Sequence, residues 1–487
     1  MSGGEKNYGF VDDGRTNSVS SFSAAISSTE QLTHKDKDNT YTVELKDLKK
    51  SLEAGEYDPF KYREIEHPTT NAETFLHLLK GSLGTGILAM PLAFHHSGWA
   101  LGIVATTAIG LLCTYCIHML IKCEYELCKR KKVPSLTYPA TAECALLEGP
   151  EFMQKLAPYS VHVINVFILI YQLGICCVYT VFIGENVHIV LKENDISVDA
   201  RLVMLMFLLP LILINYVKNL KFLAPLSTVA NAVTVVSFGI ILYYLIKADI
   251  TMADRQPVGD YRDFPLFFGT VLFALEAIGV IMPLENEMKT PKSFGGSCGV
   301  LNFGMISIIL LYVGMGLFGY LAYGQDVGGS VTYSIGSEIP AQVCKLMLVF
   351  AIFITHALQM YVAVDIVWNQ YLAPKFEKNP YQNVYEYIVR TTLVIACFCL
   401  AVAIPYIDLF ISLFGALSLS ALGLAFPATI QLSTYWYSLK GLSGTWIIVK
   451  NILIMLFAVS GLIVGTSTSL EKIIEKFSPD VNVTTIH

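Results

Sequence analysis

The sequence predicts an all-helical membrane protein that crosses the bilayer eleven times. Of the 487 residues, 54% are hydrophobic and only 15% are charged, whereas soluble domains carry about 25% charged residues. Residues 1–71 hold 22 of the 72 charged residues, so the remainder is still more apolar than the average. Apolar runs of bilayer length recur from residue 72 onward, separated by short polar loops. This composition excludes an ordinary soluble enzyme.

The eleven predicted spans are separated by loops whose charges predict their orientation. The spans cover residues 72–96, 99–121, 161–188, 202–217, 223–246, 264–286, 298–323, 342–370, 386–405, 407–433 and 445–469. If the N-terminus is cytosolic, the inner loops hold thirteen Lys and Arg residues and the outer loops hold five. Positive residues favour the cytosolic side. An odd number of spans then places the C-terminus outside the cell or in a lumen.

This arrangement predicts three parts of the chain. Residues 1–71 form a disordered cytosolic tail, because this polar segment cannot bury enough apolar area to offset its chain entropy. It has no apolar segment of the kind a cleaved signal peptide needs. Residues 72–470 form the membrane domain, and residues 471–487 form a short outer tail. The sequon at Asn482 predicts a glycosylation site there.

The tail also contains two short patterns that suit binding partners. Tyr57–Phe60 and Tyr62–Ile65 each place a bulky apolar residue three positions after a tyrosine. In extended form, such a pair can add to the surface of a sorting adaptor. We therefore expect sorting adaptors or growth-signalling proteins as tail partners, beside the lipid bilayer itself. A nucleic-acid partner is excluded, since the net charge is −6 and no basic stripe is present.

The first span contains a predicted helix break. In the run FLHLLKGSLGTGILAMPLAF, Gly81, Gly84 and Gly86 lie close together with Ser82 and Thr85. Glycine lowers the cost of leaving helical geometry. Backbone groups released at membrane depth must face a cavity or another helix, because lipid offers no hydrogen bonds.

The sixth span is the second exception. In FPLFFGTVLFALEAIGVIMPLENEM, Glu276 stands near mid-depth and Gly279 follows it. Spans one and six have opposite orientations, since five spans separate their positions. Interrupted helices at corresponding positions of two inverted halves indicate a substrate site at the bilayer midplane. The alternative is that these glycines only allow close helix packing.

The two breaks predict the chemistry of the ligand. The outer half of span one begins at Thr85–Gly86, where free amide groups suit a carboxylate. The outer half of span six ends at Phe273, Ala274 and Leu275, where free carbonyl groups suit an ammonium group. A site that offers both ends matches a zwitterionic α-amino acid. The predicted substrate-binding residues are Gly81, Ser82, Gly84, Thr85, Gly86, Phe273, Ala274, Leu275, Glu276 and Gly279.

Glu276 and His77 are the candidate proton carriers. Burial favours the protonated carboxyl, so a Glu at mid-depth that loses its proton when water or substrate approaches suits proton coupling. A permanently protonated Glu that bonds to the unwound backbone is the alternative. His77 lies one turn before the break and could relay protons, or could be an ordinary buried histidine. We expect no cofactor, with protons as the coupling ion.

Other residues are expected to support the site or the packing. Thr355, His356 and Asp365 of span eight are interpreted as packing or supporting residues, while Tyr171 and Gln172 of span three could line the cavity. Cys113 and Cys116 lie in an apolar span without further ligands, which favours packing over metal binding.

Three stretches resemble the animal proton-coupled amino acid transporters of the amino acid/auxin permease family: HLLKGSLGTGILAMPLAF, QLGICCVYTVFIGEN and FALEAIGVIMPLENEMKTP. The resemblance runs through about residues 70–470. It implies the leucine-transporter-like arrangement, a five-plus-five inverted repeat with one extra helix. It also implies proton-driven transport of small neutral amino acids such as alanine, glycine and proline, at the plasma membrane or at the lysosome or late endosome.

Two other functions stay open on the sequence. An amino-acid-sensing receptor with little flux would share the whole site. A sodium-coupled carrier of the same fold would need several hydroxyl oxygens on span eight facing span one. The segment FITHALQ offers Thr355 without an adjacent hydroxyl, which favours protons.

Overall fold

The computed structural model describes residues 31–36, 39–44, 57–63, 68–218, 220–275, 278–296, 298–376 and 379–477. This part of the chain is almost entirely helical. Its named strands, β1 (Gln31–Asp36) and β2 (Asn39–Glu44), form one antiparallel pair. Residues 1–30 and 478–487, which include the sequon at Asn482, lie outside the described residues.

The helices of the described residues follow one another with short connections. In chain order they are α1 (Asn71–Ser82), α2 (Thr85–Ser97), α3 (Trp99–Lys131), α4 (Tyr138–Leu147), α5 (Glu151–Gln154), α6 (Ala157–Glu193), α7 (Ala200–Asn215), α8 (Leu220–Lys247), α9 (Phe264–Ala274), α10 (Ile278–Asn286), α11 (Val300–Tyr323), α12 (Val331–Ser334), α13 (Ile339–Val364), α14 (Ala373–Phe376), α15 (Gln382–Ala403), α16 (Ile407–Phe414), α17 (Phe426–Tyr435) and α18 (Gly441–Phe477). Two π-helical stretches, Asp365–Leu372 and Gly415–Ala425, continue α13 into α14 and α16 into α17. Short 3-10 turns cover Pro59–Lys61, Pro291–Ser293, Gly324–Asp326 and Trp436–Ser438.

The helices agree in position with the predicted spans. Eight helical stretches of the described residues are long and apolar enough to cross a membrane, and the bent pair α1–α2 makes a ninth. The predicted spans 202–217 and 264–286 lie on the shorter apolar helices α7 and α9, the latter followed by α10. The prediction of an all-helical polytopic membrane protein is confirmed. The count of eleven spans stays a prediction.

The second span differs from its predicted end. The sequence predicts an inner loop over residues 122–160, but α3 continues to Lys131, and α4 and α5 follow within the same stretch. Lys, Glu and Leu in this segment are good helix formers, so the helix extends beyond the apolar run. Lys129, Arg130 and Lys131 occupy its last turn, where positive charge is favourable at the negative end of the helix dipole.

The third span is one unbroken helix that is largely buried by its neighbours. Helix α6 is 37 residues long and packs against α4, α7, α13, α15 and α16. Its stretch from Gly174 to Gly184 is buried without interruption. The glycine at position 174 allows close approach, since a Cβ there would lie 2.5 Å from Phe414 Cδ1.

The chain divides into two compact units. The smaller unit combines residues up to 66 with residues 128–135, and the larger unit contains most of the helices. In the smaller unit the rings of Tyr57 and Tyr62 stack at 4.8 Å, and Arg63 Nε donates to the Pro134 carbonyl at 3.0 Å. Tyr57 is buried, and burial raises the pKa of its hydroxyl above the ordinary value.

Candidate substrate site

The first span breaks where the glycines predict it. Helix α1 begins with a reciprocal cap, in which Thr70 Oγ1 accepts from Glu73 N and Glu73 Oε2 accepts from Thr70 N. It ends at Ser82, and α2 begins at Thr85 at an angle of 54° to α1. Gly84 precedes α2 and has no side chain that could cap it. The first amides of α2 therefore lack a side-chain acceptor, as an anion site at a helix N-terminus requires.

The sixth span breaks at the predicted place too. Helix α9 ends at Ala274, and Leu275 N still donates to Val271 O at 2.9 Å. Helix α10 begins at Ile278 and contains Gly279. Glu276 and Ala277 lie outside the described residues, so the assignment of Glu276 to the site stays a prediction.

The beginning of α2 lies against the end of α9. A Cβ added at Gly86 would be 2.6 Å from Ala274 Cα, which means that the two backbones are in direct contact. The positive end of α2 and the negative end of α9 are thus adjacent. One small ligand with both charges can contact both ends.

Tyr312 of α11 connects the two breaks. Its hydroxyl donates to the Ser82 carbonyl, at the end of α1, and reaches the Ala274 carbonyl, at the end of α9, at 2.6 Å. Its side chain is fully buried. Local sequence pattern does not identify Tyr312 as a site residue. The available signal was a single tyrosine in the middle of the aliphatic run ILLYVGMG.

The third span supplies aromatic and polar side chains beside the breaks. Tyr179 Oη would lie 3.7 Å from a Cβ at Gly84, and the rings of Tyr171 and Phe273 are 6.0 Å apart. Among the described residues, Thr85 Oγ1, Tyr171 Oη and Gln172 Oε1 are buried without a hydrogen-bond partner. Buried polar atoms usually have partners. These three atoms are therefore available to a ligand. Tyr179 is a further neighbour of the break that is absent from the predicted binding residues.

The structure brings together most of the predicted binding residues. Ser82, Thr85 and Gly86 are buried on one side of the contact, and Phe273, Ala274 and Leu275 are buried on the other. Gly84 is half-buried between them.

Two predicted residues lie at the periphery of this cluster. Gly81, within the last turn of α1, is exposed, and His77 is also exposed on α1. The structure therefore does not place His77 in a buried pocket, and its role as a proton carrier stays a prediction.

Span eight contributes packing contacts. Thr355 Oγ1 donates to Ala351 O at 2.8 Å within its own helix. His356 is fully buried, and its Nδ1 lies 3.3 Å from Asn215 Nδ2 of α7. Asp365 begins the first π-helical stretch. Over the described residues, no group of three or more His, Cys, Asp or Glu side chains could hold a metal ion.

A multi-span helical protein with two broken helices that meet at its centre has the architecture of a membrane transporter. Comparison with solved structures supports this fold: the inward-facing structure of Mhp1 matches with a TM-score of 0.51 at 12% identity, covering 85% of this chain and 94% of that chain. Mhp1 has the leucine-transporter fold, so the predicted fold is confirmed.

Sequence comparison shows the family. Residues 67–471 match the family described as transmembrane amino acid transporter protein, and the chain belongs to it. The proton-coupled amino acid transporter-like protein pathetic of Drosophila melanogaster is 40% identical over 439 residues, which cover 90% of this chain and 92% of the relative. The amino acid transporter AVT3B of Arabidopsis thaliana is 26% identical over 405 residues, which cover 77% of this chain and 92% of the relative. The chain is therefore a transporter, not an enzyme.

Proposed function

We propose that this chain is a secondary active transporter that moves small neutral amino acids, of the alanine, glycine and proline kind, together with protons by alternating access. The contact between Gly86 and Ala274 carries the proposal, because it joins a helix end rich in amide donors to a helix end rich in carbonyl acceptors. An α-amino acid has its carboxylate and its ammonium on one carbon atom, so it can use both ends at once.

The packing at the breaks supports a small substrate side chain. Phe273, Tyr171 and Tyr179 lie close to the two helix ends. Glu276 is the one charged residue of the sequence within the predicted binding segments 81–86 and 273–279. A neutral and compact side chain fits such surroundings, since a charged one would lose hydration without a partner.

Glu276 is proposed as the coupling group, with His77 as the second candidate. A carboxyl at mid-depth is cheapest when protonated, so a substrate ammonium that displaces its proton links the two fluxes. The Drosophila relative, whose name includes proton coupling, supports protons as the coupling ion.

The cellular placement is proposed from the loops and the tail. The charge bias favours a cytosolic N-terminus. The resemblance to the proton-coupled amino acid transporters adds the plasma membrane or the lysosome and late endosome as the proposed home membrane. Asn482 would then face the side on which glycosylation occurs. The buried Tyr57 would need to leave its stacked position before a sorting adaptor could bind it.

Uptake by the purified full-length protein in sodium-free liposomes tests the proposal. The outside is set at about pH 5.5 and the inside at about pH 7.5, and labelled alanine is added outside. Two pH units correspond to about 2.7 kcal/mol, which allows about a hundred-fold accumulation when one proton accompanies each alanine. Collapse of the gradient should abolish accumulation.

Two results would contradict this proposal. Accumulation that needs sodium and ignores the proton gradient would indicate the sodium-coupled carrier. Saturable alanine binding without uptake would instead indicate the amino-acid-sensing receptor. An empty-liposome control measures passive entry in both cases.

A further inference from the structure

We propose that Tyr312 determines how many N–H groups of the substrate the site requires, and so sets its selectivity between primary and N-methylated amino acids. This inference rests on the proposed amino acid transport. It concerns a residue outside the predicted binding segments, on α11 of the seventh span.

The two carbonyls at Tyr312 are helix-end acceptors. Ser82 is the last residue of α1, and Ala274 is the last residue of α9. Both helix ends carry partial negative charge, and both oxygens lie within hydrogen-bond distance of one hydroxyl. A phenol hydroxyl has a single hydrogen, so it donates to one of these oxygens at a time.

The Ala274 carbonyl is the acceptor that a bound amino acid can use. The backbone contact between Gly86 and Ala274 places this acceptor beside the first amides of α2. A carboxylate bound at those amides carries its ammonium group on the adjacent carbon atom. That ammonium therefore reaches the carbonyl that Tyr312 leaves open.

The Tyr312 hydroxyl consequently reduces the number of carbonyls that the N–H groups of the substrate have to satisfy. With Tyr312 in place, the substrate has to satisfy one carbonyl. Without the hydroxyl, both carbonyls depend on hydrogens from the ligand. A primary ammonium has three hydrogens and tolerates this change better than a singly N-methylated ammonium, which has two and is bulkier.

Transport by Tyr312→Phe, measured with alanine and with N-methylalanine, tests the inference. Tyr320→Phe is the matched control: Tyr320 is another buried tyrosine of α11, and its hydroxyl accepts from Gln256 N at 3.3 Å, away from the breaks. For both substrates, kcat/KM is determined in liposomes and divided by the amount of inserted protein.

For Tyr312→Phe we expect kcat/KM for alanine to fall about ten-fold, because a buried acceptor loses its donor. We also expect N-methylalanine to lose more than alanine, so that the ratio of kcat/KM for alanine to kcat/KM for N-methylalanine rises about five-fold. Tyr320→Phe should leave the ratio at the wild-type value. A purely structural role for Tyr312 would lower both substrates equally and overturn the inference.

A second variant covers the case in which Tyr312→Phe does not reach the membrane. Tyr312→4-aminophenylalanine, introduced at a reassigned stop codon, retains N–H donors at the position of the hydroxyl, so we expect a substrate ratio no higher than that of wild-type protein, and a raised ratio would overturn the inference. Failure of the proposed transport function is distinguishable from failure of this inference, because wild-type protein would then transport neither alanine nor N-methylalanine.

Discussion

The Thr180 and Asn186 side chains of the continuous third span donate within their own helix, whereas the carbonyls at the breaks of the first and sixth spans bond to a different helix. In the continuous helix α6, Thr180 Oγ1 donates to Cys176 O and Asn186 Nδ2 donates to Phe182 O, each at 2.8 Å and each four residues back in the same helix. At the breaks, the carbonyls of Ser82 and Ala274 meet Tyr312, which lies 230 and 38 residues away in the chain.

This difference distinguishes buried polar groups that only support the helix from buried polar groups that can bind a substrate. A continuous helix satisfies its backbone and most of its hydroxyl groups locally, so a buried threonine there needs no ligand. A broken helix exposes donors at one end and acceptors at the other, and these need partners from another helix or from a substrate. The same residue type is thus expected to respond differently to mutation in the two regions.

The largest effect is expected for Glu276→Gln. The amide has nearly the same shape as the protonated carboxyl but cannot release a proton, so the variant should bind and exchange alanine and fail to accumulate it. Three quantities are measured in liposomes: inserted protein, exchange of labelled for unlabelled alanine, and accumulation driven by a proton gradient.

His77→Gln is the companion to this variant. Accumulation that survives in Glu276→Gln would contradict the coupling role of Glu276. It would move that role to His77 if His77→Gln then loses gradient-driven accumulation and retains exchange.

The next effect contrasts two glycines that are two residues apart. Gly86→Ala places a methyl group 2.6 Å from Ala274 Cα, so the two helix ends must separate. Forced overpacking of this kind costs about 1–3 kcal/mol, and we expect alanine uptake to fall at least about ten-fold. Gly84→Ala is the comparison variant, because its methyl group would meet Tyr179 Oη at an ordinary 3.7 Å, the φ of Gly84 is −115° and the contact between Gly86 and Ala274 is left unchanged; we expect it to lose less uptake than Gly86→Ala.

Alanine uptake is measured for both glycine variants and divided by the amount of each variant at the cell surface. Equal loss in Gly84→Ala and Gly86→Ala would show that the contact between α2 and α9 is not what matters at this break.

A smaller effect is expected for the two threonines. Thr85→Val removes a buried hydroxyl that has no partner within the described residues, and a lost hydrogen bond to substrate of about 1 kcal/mol would raise the KM for alanine about five-fold. Thr180→Val removes a hydroxyl that is already bonded within α6 and should change KM less than about two-fold. Concentration-dependent uptake measures both, and a larger change for Thr180→Val would contradict the distinction between broken and continuous spans.

The sequence predicts most of the fold because its signals are local. Apolar runs indicate each span, and glycines indicate where the first span breaks, so α2 begins at the predicted Thr85. The apolar signal does not predict the extension of α3 to Lys131, because that signal ends before the helix does. Helix propensity and the favourable charge at the last turn extend the helix past that signal.

The site is predictable only in part because its contacts join distant residues. The helix ends at Ser82 and Ala274 follow from local pattern, but their common partner Tyr312 depends on how three helices pack. The exposure of Gly81 and His77 likewise depends on which face of α1 meets its neighbours. Periodicity within one broken helix cannot supply that information, because each half has its own orientation.

Proton entry driven by alanine is the most direct test of the central claim. Sodium-free liposomes that contain the full-length protein and an internal pH indicator start without a pH gradient, and alanine is added outside. We predict that alanine acidifies the interior with wild-type protein, and that Glu276→Gln, which retains exchange when alanine is present on both sides, gives no acidification. Alanine uptake by wild-type protein without any acidification of the interior would contradict this claim.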